Sequence, residues 1–248
     1  MTRHVILTLA VAVTAAPYAA EAQTSAWGTN GYVSFNGMYE ARTTTFESVT
    51  TPKINQEPAR ISTTLELPPG LVYDMSVGGR IKGNLGIGFG FAYFKRTEDA
   101  QMVGDIPHPF YFDQPRTLDA TTPLDHEDFA VHMHGMWLLP VSKGFQIALF
   151  GGPTYFQIKQ QSITDPKIED DYPFDTVRLA SSSATREKAT SWGFNAGLDA
   201  SRFFSQYVGV SGMVRFSRGH VKLTSAGSDT PPVDVGGLQV GAGIRFRY

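Results

Sequence analysis

The chain has 248 residues and no cysteine, which excludes disulfides, a thiol nucleophile and a lipid-modified cysteine behind a leader. Its 21 basic and 23 acidic side chains leave a net charge of −2, without the basic excess that a nucleic-acid partner requires. Twenty-five glycines and 12% aromatic residues suit crowded strands with interfacial rings better than helices.

The N-terminus reads as a secretory signal over residues 1–22. Arg3 and His4 form a short polar start, and residues 5–16 are an apolar run. Ala20-Glu-Ala22 supplies the small-x-small cleavage pattern, so the mature domain is expected to span 23–248 and begin at Gln23. The apolar run falls short of the roughly 20 residues a spanning helix needs, and no later segment approaches that length. Cleavage would remove Arg3 and Glu21, leaving the charge at −2.

Eight segments then alternate with period two, the signature of strands with one oily face. In 31–42 the oily face is Val33, Phe35, Gly37, Tyr39 and Ala41. In 71–81 it is Leu71, Tyr73, Met75, Val77, Gly79 and Ile81, and in 85–94 Leu85, Ile87, Phe89, Phe91 and Tyr93. Segment 127–139 shows Phe129, Val131, Met133, Gly135, Trp137 and Leu139, and 145–156 shows Phe145, Ile147, Leu149, Gly151, Pro153 and Tyr155. Segment 191–201 presents Trp192, Phe194, Ala196, Leu198 and Ala200, and 208–217 presents Val208, Val210, Gly212, Val214 and Phe216. The last is the clearest: Leu238-Gln-Val-Gly-Ala-Gly-Ile-Arg-Phe-Arg-Tyr248 sets apolar groups at every even position and small or polar ones between.

Strands of about ten residues match a tilted crossing of the hydrocarbon core. The connections alternate: 82–84, 141–144 and 202–206 are short, whereas 43–70, 95–126, 157–190 and 218–236 are long. Short turns at one end and long loops at the other fit an eight-stranded antiparallel transmembrane β-barrel with periplasmic turns and extracellular loops. Threaded this way, Tyr39, Tyr73, Tyr93, Phe129, Tyr155, Trp192 and Phe216 fall near the loop end, and Trp137, Phe145, Phe246 and Tyr248 near the turn end. Two aromatic belts are expected at the two membrane–water interfaces. A soluble lipocalin-like barrel, with its oily face inward, leaves the Arg, Asp, His and Gly of the other face unexplained.

On these residues the chain resembles the small outer-membrane β-barrel proteins, the broad family that includes the OmpA and OmpX membrane domains. The resemblance covers 31–248 as an architecture and implies location in a bacterial outer membrane, with lipid and lipopolysaccharide as surroundings. The strand ending in Phe246 and Tyr248 is similar to the C-terminal signal read by the barrel-assembly machinery in that family. No peptidoglycan-binding domain of the OmpA kind is expected.

The inward face is where chemistry would lie. Glu40, Asp74, Asp128 and Arg215 sit toward the loop end, and Arg80, Asp199 and Arg245 toward the turn end. An eight-stranded barrel is just wide enough for side chains to fill, and confined charges must pair. Arg215 is expected to meet an acidic group above, and Arg80 or Arg245 to meet Asp199 below. Inward glycines such as Gly88, Gly90 and Gly241 leave room for a narrow water path as the alternative to a plug. His132 and His134 share one inward face, but spacing secures no third ligand, so they read as buried hydrogen-bonding histidines and neither metal nor cofactor is expected. A lipid A hydrolase would need a His and a Ser beside the lipid, and neither histidine faces outward in this register.

Acidic residues crowd two stretches: residues 97–128 carry Glu98, Asp99, Asp105, Asp113, Asp119, Asp125, Glu127 and Asp128 against Arg116 alone, and residues 165–175 carry Asp165, Glu169, Asp170, Asp171 and Asp175 against Lys167. Their oxygens would suit divalent cations bridging to lipopolysaccharide, although no calcium-loop spacing occurs and a solvated acidic surface is the plainer reading. Pro107-His-Pro-Phe-Tyr-Phe112 sets three aromatics in a row, either a docking spot or packing against the barrel rim. The Thr/Ser/Gly/Pro stretch from Lys222 to Pro232 reads as a mobile fourth loop. The expected role is a non-enzymatic, envelope-structural or surface-binding barrel. A narrow channel or conduit for small solutes or hydrophobic molecules is second, and a lipid A-modifying enzyme third.

Overall fold

A computed structural model describes residues 31–142, 144–222 and 232–248. The expected signal over 1–22, the start at Gln23 and most of the expected mobile loop (223–231) lie outside the described residues.

The described residues form strands in the order β1 (Gly31–Glu40), β2 (Thr44–Thr50), β3 (Lys53–Ile54), β4 (Glu57–Pro58), β5 (Arg60–Leu67), β6 (Gly70–Lys82) and β7 (Leu85–Ile106). There follow β8 (Arg116–Ser142), β9 (Phe145–Asp171), β10 (Thr176–Phe203), β11 (Val208–Val221), β12 (Val233–Val235) and β13 (Leu238–Arg247). Eight of them close a ring, β1-β6-β7-β8-β9-β10-β11-β13, every pair antiparallel. The seam between first and last strands runs from Tyr32 opposite Arg247 to Glu40 opposite Gln239. Closure leaves the eight-stranded wall without a free edge.

The oily stripe points outward. Phe89, Leu149 and Val240 are 39%, 47% and 47% exposed, while Arg215 is fully buried. That orientation excludes the lipocalin-like alternative, whose apolar face fills the interior. Tight turns close one end: Gly83 and Gly144 take φ of +58° and +83°, a region open to glycine because it lacks a Cβ. The third turn is held by Ser205 Oγ, which accepts from the amides of Tyr207 and Val208 at 3.2 and 3.0 Å.

At the other end the long connections contain more structure than irregular loops. β7 runs on to Ile106 paired with Arg116 of β8, and β9 to Asp171 paired with Thr176 of β10. β5 pairs with the upper part of β7, where Arg60 lies opposite Asp105, and β2 pairs with β5. The inward phase never slips along β7 and β8: even-numbered residues face inward from Gly86 to Ile106 and from Leu138 up to Arg116. Only their chemistry changes. Within the apolar band they include Gly88, Gly90, His132 and His134, whereas above it they include Ala100, Met102, Ile106, Leu118 and Leu124, all buried. Phe46, Ile61, Leu65, Ile158 and Ile163 join them in one hydrophobic core. The barrel is thus oily outside and polar inside across the band, then oily inside and polar outside beyond it. This inversion is what hydrocarbon below and water above demand of one continuous sheet.

Candidate functional site

The lumen is spanned by two charge networks, each built from inward positions of several strands. In the upper one, Arg215 of β11 donates from Nη1 to Asp74 Oδ2 of β6 at 2.7 Å, both side chains fully buried. Its Nε and Nη2 donate to Gln239 Oε1 of β13 at 2.9 and 2.7 Å. Gln239 Nε2 donates to Glu40 Oε2 at 2.6 Å, and Asn36 Nδ2 donates to Asp74 Oδ1 at 2.9 Å. Ser211 Oγ completes the chain by donating to Asn36 Oδ1 at 3.1 Å.

The lower network is a bidentate pair. Arg245 donates from Nη1 and Nη2 to the two oxygens of Asp199 at 2.5 and 2.7 Å, and from Nε to Ser34 Oγ at 2.6 Å. Its guanidinium lies 4.2 Å from the Tyr32 ring centroid. The planar fork of arginine fits a carboxylate edge-on, and Tyr32 covers the guanidinium face. Arg80 lies on the lower part of β6, and Asp199 is held by Arg245 rather than by it.

Asp128 is placed differently from the other acids. It turns up toward His126, with Nε2 to Oδ1 at 2.8 Å, while His126 Nδ1 faces Gln160 Oε1 at 2.6 Å. Gln160 Nε2 is engaged by the Gln161 carbonyl at 2.9 Å, which orients its oxygen toward the imidazole. The Asp128 carboxylate beside Nε2 favours the imidazolium form of His126 by its charge. It lies above the aromatic belt, three residues beyond Phe129 along the strand. Burial pulls its pKa down, but the Asp128 carboxylate, the Gln160 bond and Glu40 together outweigh it and raise it above 6.5.

His132 and His134 stand in the lumen with rings nearly parallel, 6.1 Å between centroids. His132 Nδ1 shares a 2.9 Å hydrogen bond with Thr154 Oγ1, which also accepts from Asn195 Nδ2 at 2.9 Å. Among the described residues no three His, Asp or Glu side chains come together in a metal-binding group. That includes the acidic connections, where Arg178 instead engages Glu169 and Asp171 at 3.1 and 3.3 Å.

Cavities of about 50 Å³ above and 10 Å³ below share no lining residue. The upper is lined by Glu40, Asp128, His132 and Gln239, the lower by His134, Asp199 and Arg245, and the Arg215–Asp74 pair stands between. Since one water needs about 10–15 Å³, the upper cavity holds a few waters and the lower one at most.

Sequence reasoning missed Gln239, Asn36, Ser211 and Ser34, the neutral partners that satisfy the charges. They stand at inward positions of already recognised strands, so the phase alone marked them. It also missed Arg116, which is buried beneath the tips of two hairpins. Its Nη1 forms an ion pair with Asp170 Oδ1 at 2.6 Å and donates to the Phe174 carbonyl at 3.0 Å, and its Nη2 donates to the Pro107 carbonyl at 3.0 Å. Asn55 Nδ2 donates to the same Pro107 carbonyl at 3.0 Å, tying in the β3–β4 hairpin.

A closed antiparallel ring of eight strands, oily outside and ion-paired inside, defines the fold of the small outer-membrane β-barrel proteins. Among solved structures the chain is similar to the outer membrane protein OprG from Pseudomonas aeruginosa, at 10% identity over 89% of this chain and 96% of that one, with a TM-score of 0.50. It is similar also to a major outer membrane protein from Thermus thermophilus (11% identity, 87% and 99% covered, TM-score 0.43). A third is Neisserial surface protein A (10% identity, 88% and 97% covered, TM-score 0.40). At this identity the OprG likeness carries the fold alone. No family model matches the sequence, and no curated protein does.

Proposed function

We propose that this protein is a non-enzymatic surface-presenting barrel of the bacterial outer membrane, closed through its lumen and holding a rigid β-extension outside the cell. Lipid and lipopolysaccharide would surround its apolar band, and the barrel-assembly machinery would read the strand bearing Phe246 and Tyr248, both exposed on the outer face. The observation that carries the reading is the fully buried Arg215–Asp74 pair between two separate cavities. An ion pair satisfied on every side by Gln239 and Asn36 is a packed plug rather than a filter, because a conducting path needs mobile water beside its charges. The polar lumen gives way above to an apolar core that includes Met102, Leu118 and Leu124, a second barrier to ions. A lipid-modifying hydrolase needs a base beside the lipid, whereas His132 and His134 are turned into the lumen and buried.

Planar-bilayer recording tests this. The wild type is expected to give no steady conductance, and Arg215→Ala with Gln239→Ala to give small reproducible openings. Steady conductance of the wild type would overturn the reading in favour of a channel. The conduit alternative has one observation on its side. The upper cavity carries Leu67, Val72, Ala92, Phe94 and Phe156 in its wall beside the polar groups, an apolar share that a small hydrophobic molecule would meet.

A further inference from the structure

The two longest hairpins end in a cluster of exposed rings. Phe110, Tyr111 and Phe112 follow β7, and Tyr172 follows β9, with 65%, 59%, 76% and 87% of their surfaces open to solvent. Ile106, where β7 ends, lies thirteen residues beyond Tyr93 in the belt, which puts the tip roughly 30 Å above the membrane for tilted strands. Such rings are costly in water, and large exposed apolar groups at one place mark an interaction surface.

The tip is built to hold them out. His108 Nδ1 accepts from the amides of Phe110 and Tyr111 at 3.1 and 3.3 Å, fixing the turn. Phe174 packs edge-on against Phe110 at 5.2 Å and against Tyr172 at 5.8 Å, joining the two hairpins. Beneath them the Arg116 clamp binds both backbones. The rings therefore do not pack on the barrel rim. They project from hairpin ends as a preorganised surface, which lowers the ordering cost of docking.

The charges around the rings select the partner. Asp113 and Asp175 are exposed next to Phe112 and Phe174 in the chain, the exposed Arg178 is held between Glu169 and Asp171, and Arg116 is buried and committed to Asp170. Carboxylates among aromatic faces favour a cation that carries apolar substituents, as a trimethylammonium does. They oppose an anionic surface. Protruding aromatics also suit a bilayer interface, which admits rings at headgroup depth without a matching pocket.

We propose that this acidic aromatic tip docks onto a second bilayer whose surface is made of phosphocholine headgroups. The proposal rests on the surface-presenting reading, and names the partner of that surface.

The test uses the full chain in nanodiscs of phosphatidylethanolamine and phosphatidylglycerol, floated with vesicles of phosphatidylcholine alone or phosphatidylglycerol alone. Wild type is expected to co-float with phosphatidylcholine at least ten-fold more than with phosphatidylglycerol. Combined Phe110→Ser, Phe112→Ser and Tyr172→Ser should remove that capture, and Asp113→Asn with Asp175→Asn should erode the discrimination. As an independent readout, Phe112→Trp should shift its emission to the blue on meeting phosphatidylcholine vesicles.

Equal capture by both vesicles, or capture undiminished in the serine variant, would overturn the proposal. So would retention on polylysine-coated beads without vesicle capture, which would assign the tip to a basic protein surface instead. Failure here with a silent lumen removes the lipid assignment alone, whereas steady wild-type conductance removes the reading beneath it.

Discussion

Arg215 shows how one residue organises the interior. A guanidinium with no solvent contact is tolerable because every face of it is met, by Asp74 on one side and Gln239 on the other. Removing one partner strands the other, at roughly 3–5 kcal/mol for a buried ion pair, while removing both with apolar groups of similar volume is close to neutral. Arg215→Met should therefore destabilise the barrel by about that amount in urea titrations. Adding Asp74→Leu should restore most of the loss. A single-variant cost below about 1 kcal/mol would mean the pair is solvated.

His126 makes a pH prediction at the same scale. Its pKa lies above 6.5 in the folded chain because Asp128, Gln160 and Glu40 outweigh burial, so the folded state holds the proton more tightly than the unfolded one. The stability it contributes is fully present below about pH 6.5 and is lost as pH rises through the folded value. Hydrogen exchange around 120–128 and 158–162 should accelerate across that window in the wild type, and His126→Gln should flatten the dependence. An unchanged profile in the variant would remove His126 as its source.

At the scale of elements, the outer hairpins differ from the membrane strands in what holds them. The band strands are tied into a closed ring, whereas the tips of β7–β8 and β9–β10 depend on Arg116 reaching across. Arg116→Met should raise amide exchange at residues 107–115 and 172–175 by an order of magnitude or more while leaving global unfolding unchanged. A matching fall in global stability would show that the extension and the barrel unfold as one unit. The seam strand β13 is constrained in another way. A Cβ on Gly241 would collide with the Gly37 carbonyl oxygen, a backbone atom that the closed ring does not let retreat. Space for inward side chains at this seam is set by backbone approach.

For the whole molecule, the assignment of inside and outside is open to a direct measurement. Trp137 and Trp192 are both exposed on the outer face, at opposite ends of the apolar band. With Trp27 replaced by phenylalanine, lipids brominated along their chains should quench both tryptophans strongly, and aqueous iodide should barely reach them. The reverse pattern would place the oily stripe away from lipid.

Much of this molecule was legible in its residues. The eight segments of period-two alternation carried the strand number, their order and the face each turns outward, because hydrocarbon and lumen impose opposite chemistry on successive positions. They also placed Asp74, Arg215, Asp199 and Arg245 on one inner surface. The partnership was not legible, since Arg215 and Asp74 are 141 residues apart and meet only once barrel closure sets their heights. The outer hairpins hid for a different reason. Beyond the belt the alternation keeps its phase and reverses its polarity, so Asp99, Gln101 and Asp105 face water while Ala100, Met102 and Ile106 pack inward. A search for oily outward residues reads that stretch as loop. Sequence thus determined which face each strand shows to its surroundings, a local matter of side-chain transfer. Only the tertiary structure decided which charges neutralise one another and that the tips stand clear of the rim, because both depend on distances between strands far apart in the chain.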